Sequence, residues 1–579
     1  MPRRPVLAAL LVTLAAASVL LGYGRSDAED RTTRSVDKHD LSMSATVDEE
    51  VARKWQEKEL TPSPLSDDSE FLRRVSLDLT GVVPSPNEVV AFLQDESPDK
   101  RRTKIDELLE RDAYADHFSV VWMQILVGNE LLARVQQVAA VRPWLIDAFK
   151  KNLPYDKFVK EVVAAEGVTD EDGSTNFMLR FDQETAAIDA AAVVSRIFLG
   201  VQIQCAQCHN HPYEKWSKDQ FHNLAAFFSR LRRTRVFGED GKRVAFAIKE
   251  DLRGRYIMPD SNPPRQMEPI FLTGEKGDAS PGANLRMQYA RWMISQENPW
   301  FAPMIVNRYW ALFMGRGLVE PIDDFGDSNP ATHPELLQKL AADFVAMGYD
   351  LQYLCRVLTN SKTYQLASKT TGNNADDRKY YSHARLRALS PEQLLNSLML
   401  ATGLAQQSVG LDGEKAAQLR MQILQRFIFV FGNDEGAEEV NFEGTIPQVL
   451  MMLNGKLTND AVRAASKTGL AELLEDVEQP ALRVERLFLA ALGRYPTSEE
   501  TKGFVGWLRK NADARPPEGN DAALQIGRLD RGQPGQGGGG GGGGKRQGRG
   551  KGGGTVPGSV PYEDLLWALL NSSEFRFNH

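Results

Sequence analysis

Apolar residues recur at intervals of three and four along most of the chain between residues 47 and 232. The repeat is clearest at residues 71–79, 87–94, 104–110 and 186–201. This spacing places apolar side chains on one face of a helix, where they can pack against a neighbour. The pattern predicts a helical first half, and the same spacing returns from residue 283 to about residue 511.

Local signals predict where some of these helices begin. Ser85 is followed by Pro86 and Glu88, which together supply a capping hydroxyl, a proline at the first helical position and a carboxylate that can reach back to the cap. Similar capping sequences start at Ser390 and at Thr497. These signals predict helix ends and carry no chemistry.

The pattern changes between Thr234 and Thr273. Residues 236–248 resemble a hairpin with Glu-Asp-Gly at its turn, and residues 255–272 are interrupted by prolines. We expect a mainly α, multi-helix, two-domain architecture with a small β element near the domain boundary. The predicted domains are residues 47–255 and the companion region 256–579.

Three segments are predicted to lie outside the packed domains. Residues 1–28 combine two arginines, a short apolar run and small residues, so they are predicted to be an export signal peptide; an uncleaved membrane anchor is the alternative. The polar residues 29–46 are predicted to form a flexible tether. The glycine-rich tract at 532–554 is predicted to be a disordered insertion, because the chain becomes amphipathic again after it.

Composition narrows the classes of function. The 579 residues are 42% hydrophobic and 25% charged, as in an ordinary globular protein. A net charge of -8 without a sustained basic face argues against nucleic acid as a partner. No membrane span is expected beyond the signal segment. The export signal predicts a periplasmic or secreted protein.

The stretch CAQCHNHP is the main candidate for chemistry. Cys205, Cys208 and His209 have the C-x-x-C-H spacing that attaches haem in c-type cytochromes, where the thiols bind the porphyrin and the histidine binds iron. Export favours this hypothesis, because haem is attached after export. The expected cofactor is therefore covalent haem c, with an exported redox partner or co-secreted protein that the sequence does not identify. Met258, Met267 and His222 are candidates for the sixth iron ligand.

Two alternatives remain open for the same stretch. Cys205, Cys208, His209 and His211 could together hold one zinc or iron ion in a secreted scaffold or binding protein, with Glu214 or Asp219 orienting the imidazoles. The two cysteines could instead form a disulfide. The third cysteine, Cys355, lies in an apolar helical pattern and is expected to be buried and inert.

A second polar set lies in the other half of the chain. Its members could line one cleft, with carboxylates for metal or acid–base chemistry and arginines for an anion; they are Asn307, Arg308, Arg316, Asp323, Asp324 and Asp327. The alternative is that they form ion pairs that fix helix geometry. No G-x-S-x-G elbow, P-loop or H-E-x-x-H helix occurs, so an electron carrier is favoured over an enzyme.

Several long stretches together resemble a known pair of families. Those stretches are residues 71–93, 205–228, 297–327, 333–345, 389–403 and 564–579. In this order they are similar to the planctomycete secreted cytochrome-c-like domain followed by its companion planctomycete secreted domain. The resemblance implies a secreted bacterial protein, while the family itself has no established biochemical activity.

Overall fold

The computed structural model describes residues 39–132, 139–239, 241, 243–251, 253–403, 462–463, 469–512 and 559–579. The predicted signal peptide and the glycine-rich insertion lie outside these residues. The chain divides into two compact units that are interleaved along the sequence. The first contains the described residues up to Ser66 and Arg101–Arg385, and the second contains Asp67–Lys100 and the described residues from Leu386 to His579. The predicted domain division at residue 255 stays a prediction.

The first unit is built mainly from helices. They are α1 (39–57), α4 (Lys100–Glu110, which begins one residue before the unit), α5 (Asp112–Leu132), α6 (Val141–Lys150), α7 (Tyr155–Val163), α8 (Ala186–Val194), α9 (Lys218–Ala226), α10 (Leu285–Met293), α11 (Phe301–Met314), α12 (Pro334–Ala346) and α13 (Leu351–Asn360). Short 3-10 turns cover Gly173–Arg180 and Gln204–Gln207, and a π turn covers Ser195–Leu199. The pairs α5 with α6 and α11 with α12 pack directly together.

An aromatic cluster forms part of the core of the first unit. The Trp122 ring lies 5.0 Å from Phe158 and 5.7 Å from Tyr155, and Tyr155 stacks on Phe301 of α11 at 5.1 Å. These four side chains are almost fully buried. Because each ring removes a large apolar area from water, the cluster holds α5, α7 and α11 in fixed positions.

The segment 39–46, for which we predicted a flexible tether, is helical as part of α1. Met43 and Val47 are buried one helical turn apart, and the Ser44 hydroxyl donates to the Val357 carbonyl oxygen at 2.8 Å. These contacts order a segment whose composition is polar. The rest of the predicted tether lies outside the described residues.

The predicted β element is present in the first unit. Strands β2 (Leu231–Phe237) and β3 (Arg243–Glu250) pair antiparallel, and β1 (Gly167–Val168) pairs with the other edge of β3. A separate short ladder joins β4 (Tyr256–Ile257) to β5 (Gln266–Met267). The fold is therefore mainly α with small sheets, as the sequence predicts.

The second unit joins an early helical hairpin to the end of the chain. Its elements are α2 (Asp68–Thr80), α3 (Pro86–Gln94), β6 (Arg387–Ala388), α14 (Pro391–Ala401), α15 (Gly469–Leu474), α16 (Pro480–Leu492), α17 (Ser498–Lys510), α18 (Val560–Leu570), α19 (Ser573–Arg576) and β7 (Phe577–Asn578). The predicted capping boxes at Ser85, Ser390 and Thr497 all form. The buried Arg73 guanidinium of α2 donates to the Phe575 carbonyl oxygen at 2.8 Å, so the early hairpin is tied to the last residues of the same unit.

Within the described residues, no helix is both long enough and apolar enough to cross a membrane.

Candidate functional site

The loop that carries CAQCHNHP starts where a helical segment is forced to stop. The π turn after α8 ends at Gly200, whose φ of 66° is in the left-handed region. A Cβ atom at this position would lie 2.5 Å from the Phe325 ring and 2.8 Å from the Met304 sulfur, and the Phe325 amide donates to the Gly200 carbonyl oxygen at 2.7 Å. Glycine therefore permits both the turn and the close approach of the later chain.

The cysteines lie on the outer side of the next turn. Residues 204–216 are called the cysteine loop below. In its 3-10 turn Ala206 is buried, whereas Cys205 and Cys208 are exposed free thiols. This turn thus keeps one small residue in the core and leaves both sulfur atoms accessible. By contrast Cys355 is fully buried in α13, as predicted, and burial raises the pKa of its thiol.

His209 is exposed, and one of its ring nitrogens is already engaged. Its Nδ1 atom lies 2.7 Å from the carbonyl oxygen of Asn210. A carbonyl oxygen only accepts hydrogen bonds, so Nδ1 carries the proton in this contact. The neutral ring then has a lone pair on Nε2, which is the form of imidazole that binds a metal.

His211 has the opposite arrangement. Its Nδ1 atom accepts from the backbone amides of Glu214 at 2.9 Å and Tyr213 at 3.2 Å, while its own amide donates to the Trp216 carbonyl oxygen at 2.8 Å. The proton of the neutral ring is therefore on Nε2. His211 is used to fold the loop back on itself, and it does not present a free lone pair as His209 does.

His222 of α9 is buried and uses both ring nitrogens. Nε2 lies 3.0 Å from the carbonyl oxygen of Gln207, the last residue of the 3-10 turn Gln204–Gln207, and Nδ1 lies 2.8 Å from the Tyr256 hydroxyl of β4. Burial lowers the pKa of His222, which favours the neutral ring. In this arrangement the ring has no free nitrogen for iron.

The two methionines considered as sixth ligands lie in or next to the β4–β5 ladder, whose Tyr256 contacts the same histidine. Met258 and Met267 are both buried, and Met267 is the ladder partner of Tyr256, whose hydroxyl contacts His222. The strand β5 packs against α9. Their role as iron ligands stays a prediction.

Two residues of the second polar set are structural. The buried Asn307 amide donates to the carbonyl oxygens of Val319 and Ile322 at 2.9 and 3.0 Å, and its oxygen accepts from the Val319 amide at 3.0 Å. Arg308 donates to the Ile197 carbonyl oxygen at 3.2 Å, and burial lowers its pKa. Both side chains are occupied in holding backbone segments.

Two acidic members of that set, Asp324 and Asp327, lie near the cysteine loop, and Asp323 contacts residues that precede it. Residues 320–328 are called the acidic loop below. Asp323 pairs with Arg196 at 3.1 Å and accepts from the Gln202 amide at 3.2 Å, whereas the exposed Asp327 lies 3.6 Å from Lys215. Asp324 is half-buried, and its pKa is raised by burial and by the nearby carboxylates of Glu214 and Asp323. Arg316 lies elsewhere, near Tyr381.

Glu214 is the main clamp between the two loops. Its carboxylate accepts from the amides of Asp327 and Ser328 at 3.1 and 3.2 Å and from the Ser328 hydroxyl. The Ser328 hydroxyl is the largest cause of the lowered pKa of Glu214. A Cβ atom at Gly326 would lie 2.4 Å from this carboxylate, so glycine allows the contact. The Glu214 carboxylate thus bonds to the acidic loop. The zinc or iron alternative had given it a different role, that of orienting an imidazole.

Asp219, the other residue expected to orient an imidazole, pairs with Arg265 instead. Its two oxygens lie 3.1 and 2.8 Å from the guanidinium, whose hydrogen bonds lower the Asp219 pKa. Among the described residues, no group of three or more His, Cys, Asp or Glu side chains is arranged to hold a metal ion.

Sequence reasoning missed the residues that connect these parts. Arg196 pairs with Asp323 of the acidic loop, and Ser328 donates to Glu214 of the cysteine loop. Tyr256 contacts His222, which bonds to the Gln207 carbonyl oxygen inside the cysteine loop. Nothing in their local spacing marks them. Only Gly200, which follows a helical run, carries a signal that a stop was required there.

Two family models match the chain, and they cover the two halves of this site. Residues 46–233 match PSCyt2, a protein of unknown function (DUF1549), and residues 285–426 match PSD1, a protein of unknown function (DUF1553). The chain carries these two domains of unknown function, in this order. The DUF1549 match contains the cysteine loop, and the DUF1553 match contains the acidic loop. No curated protein and no solved structure matched the chain.

The contact between the matched regions gives the site its composition. The DUF1549 region supplies two accessible thiols and an imidazole with a free Nε2, and the DUF1553 region supplies the loop that holds Glu214. Chemically, such a set can attach an electrophilic cofactor through sulfur and bind iron through nitrogen.

Proposed function

We propose that this protein is an exported c-type-cytochrome-like electron carrier that binds haem covalently through the cysteine loop. Cys205 and Cys208 hold the porphyrin, and His209 is the proximal ligand of the iron. The resemblance to the planctomycete secreted cytochrome-c-like domain and the predicted signal peptide at residues 1–28 support this proposal and a periplasmic or secreted location.

The observation that carries the proposal is the difference between the two neighbouring imidazoles. His209 has Nδ1 bound to a carbonyl oxygen and Nε2 free, whereas His211 has Nδ1 occupied as an acceptor. A four-donor zinc or iron site would require His211 as a ligand as well. The haem hypothesis requires only Cys205, Cys208 and His209, which are the three residues with accessible functional atoms.

The donor set also fits the covalent chemistry. Each thiol S–H adds across one porphyrin vinyl group, with sulfur bonding to the carbon beside the ring and hydrogen to the terminal carbon, so no atom leaves. Both thiols are free and exposed, as this addition requires. A bound haem supplies one-electron redox chemistry. The residues of this chain bind the haem, orient it and keep the proton of His209 on Nδ1.

The test is a pyridine haemochrome spectrum, with metal analysis, on the full chain produced in an exporting host that has cytochrome maturation machinery. We expect about one covalent haem per chain and a reversible redox couple. His211→Ala should keep the haem, whereas Cys205→Ala and Cys208→Ala should lose covalent attachment. Cys355→Ala is the matched control, because that thiol is buried and takes no part in the proposed haem attachment. This variant should keep the haem.

A different result would replace the proposal. Wild-type protein without haem but with stoichiometric zinc or iron, lost in His211→Ala, would identify the four-donor metal site in a secreted scaffold. A Cys205–Cys208 disulfide without haem or metal would identify a structural or redox disulfide.

A further inference from the structure

The 3-10 turn Gln204–Gln207 is called the cysteine turn below. Two successive hydrogen bonds from buried side chains outside the turn hold it in place, and this pair of bonds is called the relay. The first bond joins Tyr256 to His222 at 2.8 Å, and the second joins His222 to the Gln207 carbonyl oxygen at 3.0 Å. Because that carbonyl can only accept, His222 donates from Nε2. Its neutral Nδ1 then accepts, and the Tyr256 hydroxyl is the donor. The direction of both bonds is therefore fixed.

The second bond reaches the chain between the two cysteines, so it can fix their relative position. Gln207 lies between the two cysteines and directly before Cys208. The turn has only four residues, and of these only Ala206 is buried. Such a short exposed turn has few contacts of its own to fix the relative position of its side chains.

The supports of the relay are themselves fixed. His222 is in α9, whose start has a capping box formed by Ser217 and Gln220. Tyr256 is paired with Met267 in the β4–β5 ladder, and its ring stacks on His222 with 5.8 Å between centroids. Both relay side chains are buried, so water does not compete for their hydrogen bonds.

We infer that His222 is a positioning residue for the Cys205–Cys208 thiol pair and that Tyr256 fixes the His222 tautomer that this role requires. The relay holds the turn so that both thiols react with one bound molecule. This inference deepens the proposed function and rests on it for the identity of that molecule as haem.

The chain offers substitutions that separate the two bonds. His222→Gln places an amide nitrogen near the position of Nε2 and keeps a donor for Gln207. His222→Asn places its amide near Nδ1 and loses that donor. Tyr256→Phe removes only the hydroxyl. Leu224→Val is the matched control, because Leu224 is buried on the same helix α9 and takes no part in the relay.

The first measurement needs no haem. The full-length apo chain is equilibrated with reduced and oxidised glutathione, so that two protein thiols and one oxidised glutathione give one protein disulfide and two reduced glutathiones. The equilibrium constant reports how well the turn holds the thiols together. We expect about a fivefold fall in His222→Asn, a smaller fall in Tyr256→Phe and nearly wild-type behaviour in His222→Gln, since one net hydrogen bond corresponds to about this factor.

The control separates positioning from general stability. Leu224→Val should lower the unfolding midpoint while leaving the thiol equilibrium unchanged. An unchanged equilibrium in both His222→Asn and Tyr256→Phe, with the proteins folded, would overturn the inference. An equal shift in Leu224→Val would overturn it as well, because the effect would then follow stability alone.

The second measurement is covalent haem per folded chain in the same variants. Yields that fall in His222→Asn and recover in His222→Gln support both the inference and the proposed function. If the wild type carries no haem but the thiol equilibrium still responds as expected, the proposed function fails and the positioning role of His222 stands.

Discussion

The cysteine loop and the polar set of residues 307–327 differ in what their polar atoms are used for. In the cysteine loop both thiols and the His209 Nε2 remain accessible. In the second set Asn307 is fully buried and Arg308 is half-buried, and both donate to backbone carbonyls. Polar residues that are close in sequence can therefore belong to a site or to its structural support, and burial with hydrogen bonds to the backbone distinguishes the support.

The largest effect on stability should come from Asn307. Replacing it with Ala removes three hydrogen bonds and leaves backbone groups of Val319 and Ile322 without partners, so we expect a loss of about 4 kcal/mol in the free energy of unfolding. Urea denaturation measures this loss. Asn373 is the matched control, because it also bonds to backbone groups but is exposed. An equal loss of unfolding free energy in Asn373→Ala would show that burial does not distinguish structural polar residues from those of a site.

The next effect depends on pH and concerns His333, which directly precedes α12. Burial lowers the His333 pKa to about 4. Between pH 4 and about pH 6.5, the pKa of a histidine in an unfolded chain, the unfolded protein binds a proton that the folded protein does not. The free energy of unfolding therefore has its full value above this range and falls as the pH is lowered through it. When the pH is lowered from 7 to 4, the free energy of unfolding of His333→Phe, measured by urea denaturation, should fall by about 2 to 3 kcal/mol less than that of the wild type. Identical pH dependence would place His333 in contact with water.

A smaller effect is expected at the clamp between the two loops. Glu214→Ala removes three charge-assisted hydrogen bonds to Asp327 and Ser328 from a partly exposed position, so the loss should be about 1 to 2 kcal/mol. Asp219→Ala breaks an exposed pair with Arg265 and serves as the comparison, with an expected loss below about 1 kcal/mol. Thermal unfolding of both variants shows which one loses more stability. A larger loss in Asp219→Ala than in Glu214→Ala would contradict the role of Glu214 as a clamp.

The smallest effect should come from Asp327→Ala. Its pair with Lys215 spans 3.6 Å, and the two side chains are 79% and 60% exposed. Solvent and salt screen such a pair, so the change in unfolding free energy should be below about 0.5 kcal/mol and should vanish in high salt. A larger loss that persists at high salt would show that the Asp327 side chain has a structural role.

Features that depend on neighbouring residues were predictable from the sequence. The capping box of Ser85 uses residues three apart, and the β2–β3 hairpin uses a local turn. The C-x-x-C-H spacing marked Cys205, Cys208 and His209 as the candidate site. In each case the interacting groups are close along the chain, so the pattern itself contains the geometry.

Features that depend on distant residues were not predictable. The bond from Ser328 to Glu214 and the bond from His222 to Gln207 join segments whose separation is set by tertiary packing. The helix at 39–46 is another case, because Met43 and Val47 are ordered by burial in a polar segment. Local composition does not reveal a partner that arrives from elsewhere in the chain.

The interleaving of the two units sets an order of events during synthesis. Arg73 and its helix are synthesised 502 residues before the Phe575 carbonyl that accepts from Arg73. At roughly 5–20 residues per second, the early hairpin waits for on the order of a minute before these partners exist. The second unit therefore completes its folding only after residue 575 has been synthesised, and until then its first two helices are the surface that a holding chaperone would meet.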